Sequence, residues 1–258
     1  MARDARRMPA REPAYRRLIL NQRVEASALF ISQAQWQACA GAPLDLTGRD
    51  VFGGLDLSAT QDLTALVLIA RDVTSGIWHV APTFWLPSGG LHDKARTDKI
   101  PYDQWRDEGF LETTPGSTVS YEFVAHYLRN VFDRHRVGKV GFDRWNIAHL
   151  KPWLLNAGFS EQLIEQKFVP FGQGYKDMSP ALRSLESIIL EKKLRHGGHP
   201  VLQMCASNAV VVRDDAGNRK LSKKNSVGKI DGLVALTMAV GAAAMQTTVQ
   251  FDVEAMIA

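Results

Sequence analysis

Three stretches, Val51–Leu57, Thr64–Ala70 and Trp78–Trp85, are dominated by Val, Ile, Leu, Ala and aromatic residues. The polar links Ala59-Thr60-Gln61-Asp62 and Thr74-Ser75-Gly76 separate them. Apolar runs bounded by turn formers read as strands, and links this short predict an antiparallel meander. Downstream the spacing becomes helical. Tyr121–His135 has apolar residues at 123, 124, 127, 128, 131 and 132, one stripe of an amphipathic helix. Lys139–Phe142 is a short strand ending at Asp143, Ile147–Leu155 a helix ended by Gly158, and Lys167–Phe171 a further strand. Pro180 suits a first helical turn and is expected to open a helix to Leu194, stopped by Gly197-Gly198. Val210–Val212 and Lys220–Leu221 flank the turn-rich segment 214–218 and predict a hairpin, and Ile230–Met245 is the last helix. Gly89, Gly90 and the polar residues to Lys99 read as a covering or swinging loop.

Before Asp50 the pattern is weak, apart from Leu18-Ile19-Leu20 and a short helix over Ser32–Cys39. The expected organisation is an arm over 1–49 that packs onto a domain over 50–248, with a tail over 249–258. A meander followed by strands alternating with helices implies an α/β fold. Its mixed sheet would join three antiparallel strands to parallel ones, with helices on both faces. This is the element order of a ribonuclease H-like domain.

The composition, 258 residues with 45% hydrophobic and 22% charged, is that of a globular chain with a proper core. It excludes a disordered tail. No run approaches the roughly 18 to 20 apolar residues of a membrane span, and no apolar core with a cleavage site follows the basic N-terminus. Cys39 and Cys205 stand alone, which points to a reducing, cytosolic compartment and against a disulfide framework or a cysteine zinc site. The net charge of +4 is unevenly spread. Residues 1–23 hold seven arginines against Asp4 and Glu12, so seven minus two gives +5 and leaves −1 for the rest. A second cluster comprises Arg213, Arg219, Lys220, Lys223, Lys224 and Lys229. Taken alone, either run reads as a solvated loop.

The candidate chemistry is acidic. Asp56 interrupts the first strand, where Asp is disfavoured, so its carboxylate serves either a structural bulge at Gly53-Gly54 or a function. Asp143 ends a strand and Asp231 opens the last helix, where capping is the alternative role. In a mixed sheet with the first strand central, Asp56 and Asp143 approach each other and a crossing helix adds Asp231. Three converging carboxylates repel one another unless a cation is bound. Oxygen donors without His or Cys favour Mg²⁺ or Mn²⁺, and two such ions about 3.5 to 4 Å apart are suited to phosphodiester hydrolysis. Asp62 is an accessory ligand candidate or a plain turn residue. Other motifs are missing: there is no G-x-x-x-x-G-K-[ST] loop and no H-E-x-x-H among the seven histidines, and Gly172-Gln173-Gly174 lacks the third glycine of a dinucleotide site.

Residues 16–22, Gly54-Leu55-Asp56-Leu57-Ser58 with Asp62-Leu63-Thr64-Ala65, Tyr102-Asp103-Gln104-Trp105 and Thr114-Pro115-Gly116 follow one another in a telling order. Phe142-Asp143-Arg144-Trp145, residues 169–174, the Asn208–Val212 segment and Lys229-Ile230-Asp231-Gly232 with residues 233–236 complete it. In this order they resemble the C-terminal nuclease domain of the large terminase subunit of tailed bacteriophages, over residues 16 to about 245. The resemblance implies a ribonuclease H-like, metal-dependent endonuclease that cuts concatemeric double-stranded viral DNA in the bacterial host cytoplasm. Asp56, Asp143 and Asp231 match its active-site positions. It also implies a small terminase subunit and the capsid portal as partners. Family members carry an ATPase motor ahead of the nuclease, and this chain is expected to lack it, either as an excised domain or as a split or truncated product. In this light Arg144, Lys220, Lys223, Lys224 and Lys229 become candidates for holding DNA phosphates. Two other readings stay open: another ribonuclease H-like nuclease of resolvase or transposase type, and a catalytically silent DNA- or portal-docking module.

Overall fold

The computed structural model describes residues 28–58, 60–144 and 147–255, with side chains to residue 246. The Arg-rich segment and Leu18-Ile19-Leu20 lie outside the described residues. In chain order the elements are β1 (Ala28–Leu29), α1 (Gln33–Gln37), β2 (Asp50–Asp56), β3 (Thr64–Arg71), β4 (Trp78–Pro87), α2 (Leu91–Asp98) and α3 (Tyr102–Asp107). They continue with β5 (Glu112–Thr114), α4 (Tyr121–Arg134), β6 (Arg136–Asp143), α5 (Ile147–Asn156), α6 (Glu161–Lys167), β7 (Phe168–Phe171) and α7 (Tyr175–Leu190). The last are β8 (Leu194–Arg195), α8 (Pro200–Asn208), β9 (Val210–Arg213), β10 (Arg219–Leu221) and α9 (Asp231–Ala255).

The main sheet runs β5-β4-β3-β2-β6-β7, with β8 paired to β4. The β2–β3–β4 meander is antiparallel, whereas β6 joins β2, and β7 joins β6, in parallel. This is the mixed sheet expected from the order of the runs. Side chains alternate across it as the period of two requires. Ala65, Val67 and Ile69 of β3 pack in the cluster formed with α7, α8 and α9, while Leu66, Leu68 and Ala70 pack in the cluster formed with α4, α5 and α6.

Alternation also sets where the acidic residues point. Val51 and Leu55 of β2 face α4, so Phe52, Gly54 and Asp56 face α9. In β6, Val140 and Phe142 face α4, so Gly141 and Asp143 share the face of Asp56. α9 lies directly against this face. A β-carbon on Gly54 would stand 1.9 Å from the Ala235 carbonyl oxygen, so only glycine fits there. Gly54 thus serves a helix contact, whereas Gly53 packs against Val140 and Leu68 on the other face, where the register of β2 against β6 shifts between Val51 and Gly53.

Several expectations are corrected. α7 begins at Tyr175, and Pro180 sits inside it. Its helix continues upstream because Met178 and Ser179 are buried, and the Arg219 amide donates to Ser179 Oγ at 3.1 Å. Packing outweighs the local cost of the proline here. α7 also stops at Leu190, because Lys192 turns with φ 57° and Leu194 enters β8 beside Trp78. The glycine-led segment after β4 contains α2, entered from Gly90 with φ 77°. Residues 28–31, within the segment read as a packing arm, pack on the domain: Ala28 and Leu29 pair with Val211 and Val210, and Phe30 and Ile31, with Trp36, join the α9-side core. No helix among the described residues is long and apolar enough to cross a membrane.

Candidate active site

Asp56 ends β2, and its neighbour Leu55 is in register with Phe142, which places Asp143 at the adjoining strand end. Asp143 is in turn level with Phe171, the last residue of β7. Ends of neighbouring parallel strands are where α/β sheets form ligand crevices. Asp231 stands in the first turn of α9, which crosses the same face. Asp56 and Asp231 are almost wholly buried, at 2% and 4% exposure, while Asp143 is half-buried.

Two nitrogen donors tie these carboxylates together. The Lys223 ammonium donates to Asp56 Oδ2 and to Asp231 Oδ1, each at 2.8 Å. Gln173 Nε2 donates to Asp143 Oδ2 at 3.0 Å and, more weakly, to Asp56 Oδ1 at 3.4 Å. Asp56 is therefore the hub. Its burial pushes the carboxyl up to about 7, with Asp231 and Asp143 adding repulsion and Lys223 opposing them. Burial alone would disfavour the Lys223 ammonium, but Asp56 and Asp231 overcome this and hold its pKa well above the usual lysine range. Asp231 spends its carboxylate on Lys223, so it does more than start a helix.

The loop after β10 is braced to deliver this lysine. The Ser222 amide donates to the Val210 carbonyl at 2.9 Å, and Ser226 Oγ donates to the Ser222 carbonyl at 2.8 Å. The Val210 amide donates to Ser226 Oγ at 3.2 Å. These bonds fix the backbone on both sides of Lys223 to the edge of β9.

The remaining candidates occupy the rim. Asp62 forms an ion pair with Lys229, and both line a cleft of about 410 Å³ together with Asp98, Lys223 and Asp231. Burial works against the Asp62 carboxylate, but Lys229 and the Leu63 amide hold its pKa below the usual range. Arg144 reaches Asp177 at 3.4 Å, and Asp177 Oδ2 also accepts the Gly172 amide at 2.8 Å, which steadies the loop carrying Gln173. Lys220 lies over the Tyr175 ring at 4.8 Å, and Lys224 is exposed. The lysines thus divide: Lys223 turns inward to the carboxylates and Lys229 to Asp62, leaving Lys220 and Lys224 on the outer side. Sequence reasoning assigned Gln173 no role of its own: its Gly-Gln-Gly setting was set aside as a dinucleotide site and counted only within the 169–174 stretch of the resemblance.

Among the described residues, no three of His, Cys, Asp and Glu are drawn close enough to form a closed metal site. The gaps between the carboxylates are filled by the Lys223 ammonium and the Gln173 amide. The donor set itself fits a hard divalent cation: buried carboxylate oxygens whose mutual repulsion already calls for positive charge between them.

Comparison with known proteins gives the family and the fold. A family model described as terminase large subunit, endonuclease domain, matches residues 3–247. The large terminase subunit of Enterobacteria phage HK97 is 48% identical over 249 residues, covering 96% of this chain and 48% of that protein. Protein YmfN of Escherichia coli K12 is 27% identical over 239 residues, covering 87% and 50%. The chain spans about half the length of the curated relatives it matches. Among solved structures, the HK97 large terminase superposes with a TM-score of 0.80 at 47% identity, over 93% of this chain and 49% of that one. The large terminase nuclease of thermophilic phage G20c superposes at 0.52 with 11% identity, over 80% and 95%, a likeness of fold alone. With the family model running over nearly the whole length and the fold in agreement, this chain belongs to the terminase large subunit endonuclease-domain family and has its ribonuclease H-like architecture.

Proposed function

We propose that the chain is a divalent-metal-dependent endonuclease that cuts double-stranded viral DNA during genome packaging in the host cytoplasm. The observation that carries this is the Asp56-centred cluster, in which carboxylates from β2, β6 and α9 are linked through Lys223 and Gln173 at the ends of the parallel strands. Asp56, Asp143 and Asp231 are the residues that would hold Mg²⁺ or Mn²⁺, as two ions, with Asp62 as an accessory. Bound there, such ions supply an activated water and stabilise the leaving 3′-oxygen. A structure of the G20c nuclease with cobalt, superposing at a TM-score of 0.50 with 12% identity over 85% of this chain and 98% of that one, is consistent with a divalent ion in this fold.

The chain's own residues have separate tasks. Asp56, facing both neighbours, sets the centre's charge, and its burial in apolar surroundings excludes water from the far side. Gln173 orients the Asp143 carboxylate through its 3.0 Å bond. Arg144, Lys220, Lys224 and Lys229 hold the duplex by its phosphates without reading sequence. A small terminase subunit, the capsid portal and an ATPase motor are the partners this role calls for.

Plasmid incubated with the protein and Mn²⁺ should be linearised and then degraded, and Asp56→Ala, Asp143→Ala and Asp231→Ala should each abolish this. Cleavage that survives all three changes excludes the reading. Preference for branched or hybrid substrates over plain duplex would favour a resolvase-like enzyme instead. The neutralisation of the carboxylates by Lys223 is the one observation that favours a silent docking module, and the same assay separates the two.

A further inference from the structure

The Lys223 ammonium stands where a cation between Asp56 and Asp231 would stand, 2.8 Å from an oxygen of each. An ammonium and a divalent ion cannot share that gap, because two positive charges at such separation repel strongly in a site this buried. One of the three side chains must therefore leave when a metal arrives. Asp56 and Asp231 are fixed, with side chains 3% and 6% exposed on a strand end and a helix start. Lys223 is 47% exposed and enters from the solvent side on a four-carbon stem, so it can withdraw without opening the core.

We propose that Lys223 is a tethered counter-ion that neutralises the carboxylate centre in the absence of metal and competes directly with metal for the gap between Asp56 and Asp231. This rests on the metal-site reading above. The lysine has two consequences. Without metal it spares the fold two unpaired buried carboxylates, and with metal it imposes a charge-exchange step before the centre is loaded. Once withdrawn, its ammonium joins Lys220 and Lys224 on the outer side, where it adds to the attraction for a phosphate backbone. Metal loading and DNA engagement are thereby linked through one side chain, and such linkage is reciprocal.

The test is Mn²⁺ titration by calorimetry of the whole chain, with thermal melts in chelator and in Mn²⁺, for wild type, Lys223→Met and Lys224→Met. Lys223→Met should bind Mn²⁺ at least about fivefold more tightly than wild type. It should also melt lower than wild type in chelator and recover most of that loss with Mn²⁺. Lys224→Met removes the same charge one residue away and should keep the wild-type Mn²⁺ affinity. Should Lys223→Met fail to fold, Lys223→Gln is held to the same criterion. Wild type binding Mn²⁺ while the Lys223 variant binds it no more tightly would overturn the counter-ion role and leave the metal site standing. No Mn²⁺ uptake by either protein would overturn both.

Discussion

Gly54 and Ala235 touch through their backbones: a β-carbon on Gly54 would lie 1.9 Å from the Ala235 carbonyl oxygen and 2.6 Å from the Ala239 amide nitrogen. This contact seats α9 on β2, and it brings Asp231 at the helix start over Asp56 at the strand end. Gly54→Ala must push the two apart. It should cost about 3 kcal/mol or more in urea unfolding, at the upper end of overpacking penalties, and any folded fraction should lose cleavage. A stable, fully active variant would show that the helix has room to shift.

The carboxylates should rank by their place in the cluster. Asp56→Asn, Asp143→Asn and Asp231→Asn preserve shape and remove charge, and each should lower plasmid cleavage by at least about a hundredfold. Asp62→Asn removes the charge that pairs with Lys229 at the rim and should cost less than about tenfold, in keeping with an accessory place. Single-turnover rates at saturating Mn²⁺ measure the ranking.

Lys220 and Lys224 lie on the outer side and should act on DNA binding alone. Replacing either by Ala should weaken duplex binding similarly for unrelated sequences and reduce the slope of log affinity against log salt by about 1. Fluorescence anisotropy between low and moderate salt reads this directly.

His199 predicts acid sensitivity. It packs between Phe84 and Phe110, its Nδ1 has no partner, and burial, followed by repulsion from His196, lowers its pKa from 6.5 to about 4. Between those values the unfolded chain holds a proton that the folded chain does not, so stability present above pH 6.5 is lost as pH falls towards 4. His199→Phe should narrow the gap between melting temperatures at pH 7 and pH 5. An unchanged gap would assign the sensitivity to His196 and His79, which burial shifts in the same direction.

The sequence revealed most where a residue broke its own pattern. Asp56 stood out because a carboxylate interrupts an apolar strand, and the period of two was enough to turn it towards the face it shares with Asp143. Lys223 was visible as charge, but a run of lysines looks the same whether it faces solvent or a buried carboxylate. Its direction is set by Ser222 and Ser226 bonding back to Val210 across the hairpin, a geometry that the predicted hairpin alone does not specify. Gln173 lay within a stretch that carried the resemblance, but nothing marked it as a partner of the carboxylates, since those partners come from β2 and β6 through the register of β7. β5 and β8, of three and two residues, are too short for any periodicity. α7 crossed a proline that local rules treat as a start, because burial of Met178 rewards the longer helix.

The small sheet couples β1 to the loop that carries Lys223. Ala28 faces Val211 and Leu29 faces Val210, so β1 is held directly by β9. β10 is the other neighbour of β9, and the loop after it is pinned to Val210 on both sides of Lys223. A displacement of β1 is therefore one strand's width away from the anchor of the lysine that sits between the carboxylates.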